Sequence, residues 1–153
     1  MSDPAPISLR PAIPEDSTSV ASLVATLAAD LNERSPITPA YVAEILRQRV
    51  CQVLLAVRGE GVLGLVSFSF RPSLYHAADT CLVDELVVQP HARSKGIGAL
   101  LLDEAIRLAG DHGCAEISLS VMASNAEALR FYRRHGFEDE ALLLEHHFPA
   151  AGA

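Results

Sequence analysis

A chain of 153 residues, half of them hydrophobic and one fifth charged, has apolar material for one domain with its own core and too little length for two ordinary ones. Its formal net charge of −7 argues against a nucleic-acid binder, whose affinity rests on a basic surface. No apolar run reaches the roughly 18 residues that a membrane helix needs, and Met1-Ser2-Asp3-Pro4-Ala5-Pro6 lacks the basic and apolar regions of a secretory signal, so a cytoplasmic protein is expected.

In chain order, Ile7 to Arg10 reads as a first strand ended by Pro11 and Pro14, with Asp16 or Ser17 as a helix cap. Val20, Leu23, Val24, Leu27 and Leu31 recur at helical spacing. Thr38-Pro39 opens a second helix, a capping hydroxyl followed by proline at the first helical position, and Val42, Ile45 and Leu46 form its buried side. Val53 to Val57 and Val62 to Phe70 read as strands of an antiparallel hairpin around the turn Arg58-Gly59-Glu60-Gly61. Arg71 to His76 reads as a loop and Thr80 to Val88 as the next strand. After Pro90 the period changes: Ile97, Leu100, Leu101, Ala105 and Leu108 form a helical stripe ended by Gly110 and Gly113. Glu116 to Val121 alternates as a strand, and Ser124 or Asn125 opens a helix with Ala128, Leu129 and Tyr132 inward and Gly136 as terminator. Ala141 to Phe148 reads as a last strand, and the first few residues and Pro149 to Ala153 as flexible ends.

The order of strands and crossover helices predicts a mixed α/β (α+β) fold. One domain should span residues 1–153, with a helix on each face of its sheet. The three cysteines, Cys51, Cys81 and Cys114, form neither zinc spacing nor a disulfide framework and read as small buried hydrophobes. The six histidines are scattered, and His146-His147 would point to opposite faces of a strand, so no metal site is expected.

The richest stretch is Asp84-Glu85-Leu86-Val87-Val88-Gln89-Pro90-His91-Ala92-Arg93-Ser94-Lys95-Gly96-Ile97-Gly98. Amides at a helix start lack intrahelical partners, and the helix dipole adds positive potential, so this strand, loop and helix make an anion site. Gly96 and Gly98 let a phosphate approach those amides, and Arg93 and Lys95 add charge. A Walker A loop is rejected because Lys95 precedes the glycine; a dinucleotide fingerprint is rejected because residue 101 is Leu.

Arg93-x-x-Gly96-x-Gly98 after a strand ending in Leu-x-Val resembles the pyrophosphate-binding motif of the GNAT acetyltransferases. Downstream, Asn125-x-x-Ala128-x-x-Phe131-Tyr132-x-x-x-Gly136-Phe137 resembles that family's second motif, so the specific likeness covers about residues 80 to 137. Ser94 stands where the family frequently has glycine. The resemblance implies a GNAT-like, mostly antiparallel sheet of about six to seven strands flanked by about four helices. It also implies acetyl-coenzyme A as cofactor and acetyl transfer to a primary amine of a small molecule or peptide, by direct attack in a ternary complex. A non-catalytic acyl-coenzyme A sensor is the alternative.

By the same resemblance, Leu86, Val87 and Val88 hold the pantetheine through the main chain, and Val87 or Val88 N–H polarises the thioester carbonyl. Arg93, Ser94, Lys95, Gly96, Ile97 and Gly98 hold the pyrophosphate, and Asn125 caps its helix or contacts the pantetheine. Tyr132 is the general acid and Glu85 the first candidate for general base, with Asp84 directed to the opposite face by strand alternation unless a bulge intervenes. The acceptor pocket is expected between the first two helices, the loop at 71–78 and the final strand, with Glu33, Tyr75, Asp79 and Glu85 as candidate contacts for a cationic amine and His76 nearby. The run Ala141-Leu142-Leu143-Leu144 fits either a core strand or the edge contact of a possible homodimer.

Overall fold

The computed structural model describes residues 3–150; the expected flexibility of residues 1–2 and 151–153 lies outside the described residues. The chain forms two compact units, one ending at Leu119 and the other beginning at Ser120.

The first unit is a five-stranded sheet in the order β1 (Ser8–Pro11), β2 (Gln52–Arg58), β3 (Gly61–Ser73), β4 (Ala78–Val88) and β5 (Ile117–Leu119). The first three pairings are antiparallel and β4 pairs with β5 in parallel. One face buries Ala56, Val66, Phe68, Cys81 and Val83 against Ile97, Leu101 and Ala105 of α3 (Ile97–His112). The other buries Leu55, Val57, Leu65 and Val87 with Val20 and Leu23 of α1 (Ser17–Asp30) and Val42 of α2 (Pro39–Gln48). Helices thus cover both faces, as the alternation of periods requires.

Local signals fix several boundaries. Thr38 caps α2, its hydroxyl accepting from Tyr41 N at 3.2 Å, with Pro39 following. Asp16 instead accepts from Ile13 N at 2.8 Å and pairs with Arg10 at 2.7 Å, so it braces the turn before α1 and does not cap the helix with its side chain. Gly110 lies inside α3, and Gly113 ends it in the left-handed region at φ 89°.

Two expectations need correction. The segment from Arg71, read as a loop because of Pro72, largely continues β3 to Ser73. β2 pairs with β3 only as far as Gln52↔Phe68, so Pro72 lies where β3 has a neighbour on one side alone, and its missing N–H costs no ladder bond there. The strand expected at Ala141–Phe148 is absent: no ladder forms there, and Leu142 and Leu144 are 92% and 88% exposed. Apolar composition does not make a strand without a partner ladder. The sheet therefore has five strands among the described residues, not six or seven.

The feature that shapes the site is an irregularity between β3 and β4. Ser67 pairs with Glu85 and Phe68 with Val83, leaving Asp84 as an extra, bulged residue. Before the bulge Cys81 and Val83 face α3; after it Leu86 and Val88 do. The facing parity changes from odd to even across Asp84-Glu85. Close by, Gly64 is opposite Val88, and a Cβ there would lie 2.8 Å from the Val87 carbonyl oxygen and 3.3 Å from Leu101. Gly64→Ala should therefore destabilise the fold by about 1–3 kcal/mol through overpacking; an unchanged urea midpoint would contradict this contact.

The second unit contains α4 (Ala126–Arg134). Asn125 caps it, Oδ1 accepting from Ala128 N at 3.1 Å, and Gly136 follows in the left-handed region at φ 92°.

Candidate active site

The sequence from β4 into α3 builds an anion cradle. Gln89 N donates to Leu63 O at 2.7 Å, Pro90–Ala92 makes one 3-10 turn, and Ala92 is buried, which anchors the loop. Ser94 and Gly96 then take left-handed backbone at φ 62° and φ 80°. Leu100 N makes the first bond of α3, to Gly96 O at 3.1 Å. The amides of Ile97, Gly98 and Ala99 precede it and have no helical acceptor. A Cβ on Gly96 would meet nothing within 4 Å, so the approach to the turn at Gly96 is open. Freed amides, an open approach and a helix N-terminus fit a diphosphate.

The two basic residues of this loop differ. Arg93 Nε donates to Val88 O at 3.0 Å, and its Nη2 pairs with Asp30, the last residue of α1, at 2.7 Å. Lys95 is exposed and has no carboxylate partner among the described residues.

The edge of β4 leads into this cradle. Cys81 N donates to Glu116 O at 2.8 Å, so ahead of the bulge odd-numbered amides face β5. Beyond it Glu85 N donates to Ser67 Oγ at 3.1 Å and Gln89 N to Leu63 O, so odd-numbered amides face β3. By antiparallel alternation, Val87 turns its amide to β3, and Leu86 and Val88 turn theirs to the other edge. The parallel ladder with β5 ends at Val83↔Leu119. Of Leu86, Val87 and Val88, the first and last therefore turn their main-chain groups away from β3, beyond the end of the β5 ladder.

On the opposite face of the sheet lies a cavity of about 280 Å³. Val20 and Val24 of α1 and Ile37, Val42, Ile45 and Leu46 from α2 and its approach supply apolar walls; Cys51, Leu65, Ser67, Asp84 and Glu85 line it from the sheet side. The bulge brings both carboxylates to this cavity, correcting the expectation that Asp84 points to the opposite face. The Ser67 hydroxyl donates to Glu85 Oε2. Burial pushes the Glu85 carboxyl above its ordinary range; the Ser67 hydrogen bond opposes this and the Asp84 charge reinforces it. Burial also pushes Asp84 up, against the pull of Arg71.

Of the other residues expected around an acceptor, Tyr75 is exposed and stands edge-on to His76, His76 Nε2 is 3.3 Å from Glu116, and Asp79 pairs with His112 at 2.8 Å. Neither these nor Glu33 line the cavity. Ser67, Cys51 and Asp84 do, and the parity change around Asp84-Glu85 was the sequence signal for the last. The Cys51 thiol is pushed up by burial and by the two carboxylates, which disfavours a nucleophilic thiolate. Cys81 is buried, with its thiol pushed up to about 11.

In the second unit, Tyr132 stands edge-on to Phe131 and Phe137, at 5.3 and 5.9 Å between ring centroids. Burial pushes its phenol up, so the hydroxyl keeps its proton at neutral pH.

Comparison with known proteins agrees with this geometry. A sequence model of the acetyltransferase (GNAT) family matches residues 21–137. The aminoalkylphosphonate N-acetyltransferase of Salmonella typhimurium is 32% identical over 130 residues, covering 85% of this chain and 84% of that protein. An aminoglycoside N(6')-acetyltransferase type 1 of Klebsiella aerogenes is 28% identical over 106 residues, covering 65% and 70%. Among solved structures, a transcriptional regulator from Bacillus halodurans C-125 superposes with a TM-score of 0.82 at 28% identity, covering 94% of this chain and 100% of that one. The chain belongs to the GNAT family of acetyltransferases.

Proposed function

We propose that the chain transfers an acetyl group from acetyl-coenzyme A to a primary amine of a small molecule held in the cavity, by direct attack in a ternary complex. The observation that supports this reading most is the bulge at Asp84. It turns Leu86 and Val88 main-chain groups to an edge beyond the reach of β5, while keeping Glu85 at the cavity on the same strand.

Acetyl-coenzyme A, when bound, supplies an activated acetyl thioester. The amides of Ile97, Gly98 and Ala99, with Lys95, hold its diphosphate, and Arg93, Ser94 and Gly96 shape the loop that presents them. The N–H and C=O of Leu86 and the N–H of Val88 receive the pantetheine as a strand edge receives an extended chain, Val88 O being held by Arg93 Nε. Val88 N–H stabilises the charge that builds on the carbonyl oxygen, a role worth about 2.7–4 kcal/mol per donor.

An alkyl ammonium is protonated at neutral pH and must lose one proton to attack. Glu85, raised toward neutrality by its surroundings, takes that proton. With acetyl-coenzyme A bound, the nitrogen would bond the carbonyl carbon as the carbon–sulfur bond breaks; by the family resemblance Tyr132 Oη would give the leaving sulfur a proton, and the second proton shed by the nitrogen would pass through water to restore the phenol. Tyr132→Phe should bind acetyl-coenzyme A unchanged and lower kcat about 100-fold or more; unchanged turnover would remove this role.

Calorimetric titration with acetyl-coenzyme A, beside a thiol-release screen over primary amines, tests the whole reading. Binding with amine-dependent thiol release is expected. Binding without release on any amine would make the chain a cofactor sensor, and no binding would refute the assignment of the loop.

A further inference from the structure

The cavity carries more than a place for an amine. Its walls are mostly aliphatic, with Tyr41, Cys51 and Ser67 among them; its two charged groups are Asp84 and Glu85, and none of the described residues lining it is lysine, arginine or histidine. Arg71 acts on Asp84 from outside that lining. At the edge, Tyr41 and Val50 are 63% and 57% exposed, apolar surface left open where an acceptor would enter. A volume of about 280 Å³ holds a short alkyl chain or one small ring.

Taking the cavity as the acceptor site of the function proposed above, we propose that it selects primary amines with a small apolar body and no anionic group, the ammonium docking against Asp84 and Glu85. Three physical terms point the same way. The ammonium enters with opposite charges beside it, which offsets its loss of water. The apolar body gains by leaving water for the aliphatic wall. A phosphonate or carboxylate on the same molecule would lose its hydration, find no cation in the lining and face two carboxylates, which is discrimination by repulsion. The Salmonella relative is named for aminoalkylphosphonates, and this lining supplies no counter-ion for such a group. A polyhydroxylated amine would find only Tyr41, Ser67 and the two carboxylates as oxygen-bearing side chains in the lining and leave its remaining hydroxyls unpaired against valine, isoleucine and leucine, so it is disfavoured as well.

The test uses the full chain and two probes, n-hexylamine and 2-aminoethylphosphonate. With acetyl-coenzyme A, thiol release should give hexylamine a kcat/KM at least about tenfold higher, equivalent to about 1.4 kcal/mol. Equal or better turnover of the phosphonate overturns the inference. Val50→Arg, at the exposed edge, should narrow the gap by raising turnover of the phosphonate; a gap unchanged in that folded variant counts against the assigned wall.

Calorimetric titration of hexylamine without cofactor separates this inference from the transfer reading. Saturable binding that weakens about tenfold or more in Asp84→Asn, with an unchanged circular dichroism spectrum, supports the site even where no acetyl transfer is seen. Neither binding nor turnover of hexylamine overturns it.

Discussion

Glu85→Gln, which removes the general base of the proposed reaction, is expected to lower kcat/KM about 100- to 10,000-fold, the range that a positioned general base contributes. It should also remove the acidic limb of the pH–rate profile. The base form of Glu85 is the carboxylate, so activity is full above its folded pKa and falls as pH drops through it. Burial places that pKa above the ordinary glutamate value of about 4.3, with the Asp84 charge acting in the same direction, so the fall begins closer to neutrality than for a solvated carboxylate. Stability runs the opposite way. A carboxyl raised in the folded state binds more protons there than in the unfolded chain, so its contribution is complete below the unfolded pKa and is lost as pH rises through the folded one. Glu85→Gln should flatten that loss. Rates and urea midpoints measured across pH check both signs: a variant that keeps the wild-type acidic limb is not missing its base.

Phe68→Ala is expected to cost about 3–5 kcal/mol. Phe68 is fully buried, stands 5.7 Å from Phe70 and pairs with Val83 at the bulge. For a domain of this size, a loss of about 3–5 kcal/mol lowers Tm by on the order of 6–20 °C. The ring fills the core directly behind the point where Asp84 leaves the ladder, so the variant should lose register there along with stability. Calorimetry measures the first effect; loss of protection of the Glu85 amide in hydrogen exchange measures the second. A Tm within about 2 °C of wild type would mean that the core is not built around this ring.

The parts of this molecule that were legible in its sequence are those encoded within a few residues. Thr38-Pro39 and Asn125 announce helix starts because a cap bonds an amide three residues ahead. The change from strand to helix period between Val88 and Ile97, with glycine at 96 and 98, marks the cradle for the same reason. The bulge was harder. It is set by pairing between Ser67 and Glu85, 18 residues apart, and alternation alone sends Asp84 the wrong way. The trace it leaves is the parity slip from Cys81 and Val83 to Leu86 and Val88 around two adjacent carboxylates. Pro72 misled in the other direction, because a proline's effect on a strand depends on which neighbours that stretch has. The leucines at 142–144 show the same limit: no residue within the segment specifies whether a partner strand is present.

Arg93 also illustrates what only the folded chain reveals. Resemblance assigns it to the pyrophosphate, and its side chain is held between Val88 O and Asp30. This ties the cradle to the end of α1, the helix that also walls the cavity through Val20 and Val24. Both partners are well exposed, so the pair adds little to stability; its consequence is positional.

In the proposed reaction, one bulged strand serves a diphosphate cradle at its end and an amine cavity on its face. A crystal structure of the chain with coenzyme A tests it most directly. The diphosphate is expected on the amides of Ile97 to Ala99 and the pantetheine along Leu86 and Val88, with Glu85 still lining the cavity. Coenzyme A bound elsewhere, with those amides met by water or by the protein's own side chains, would contradict it.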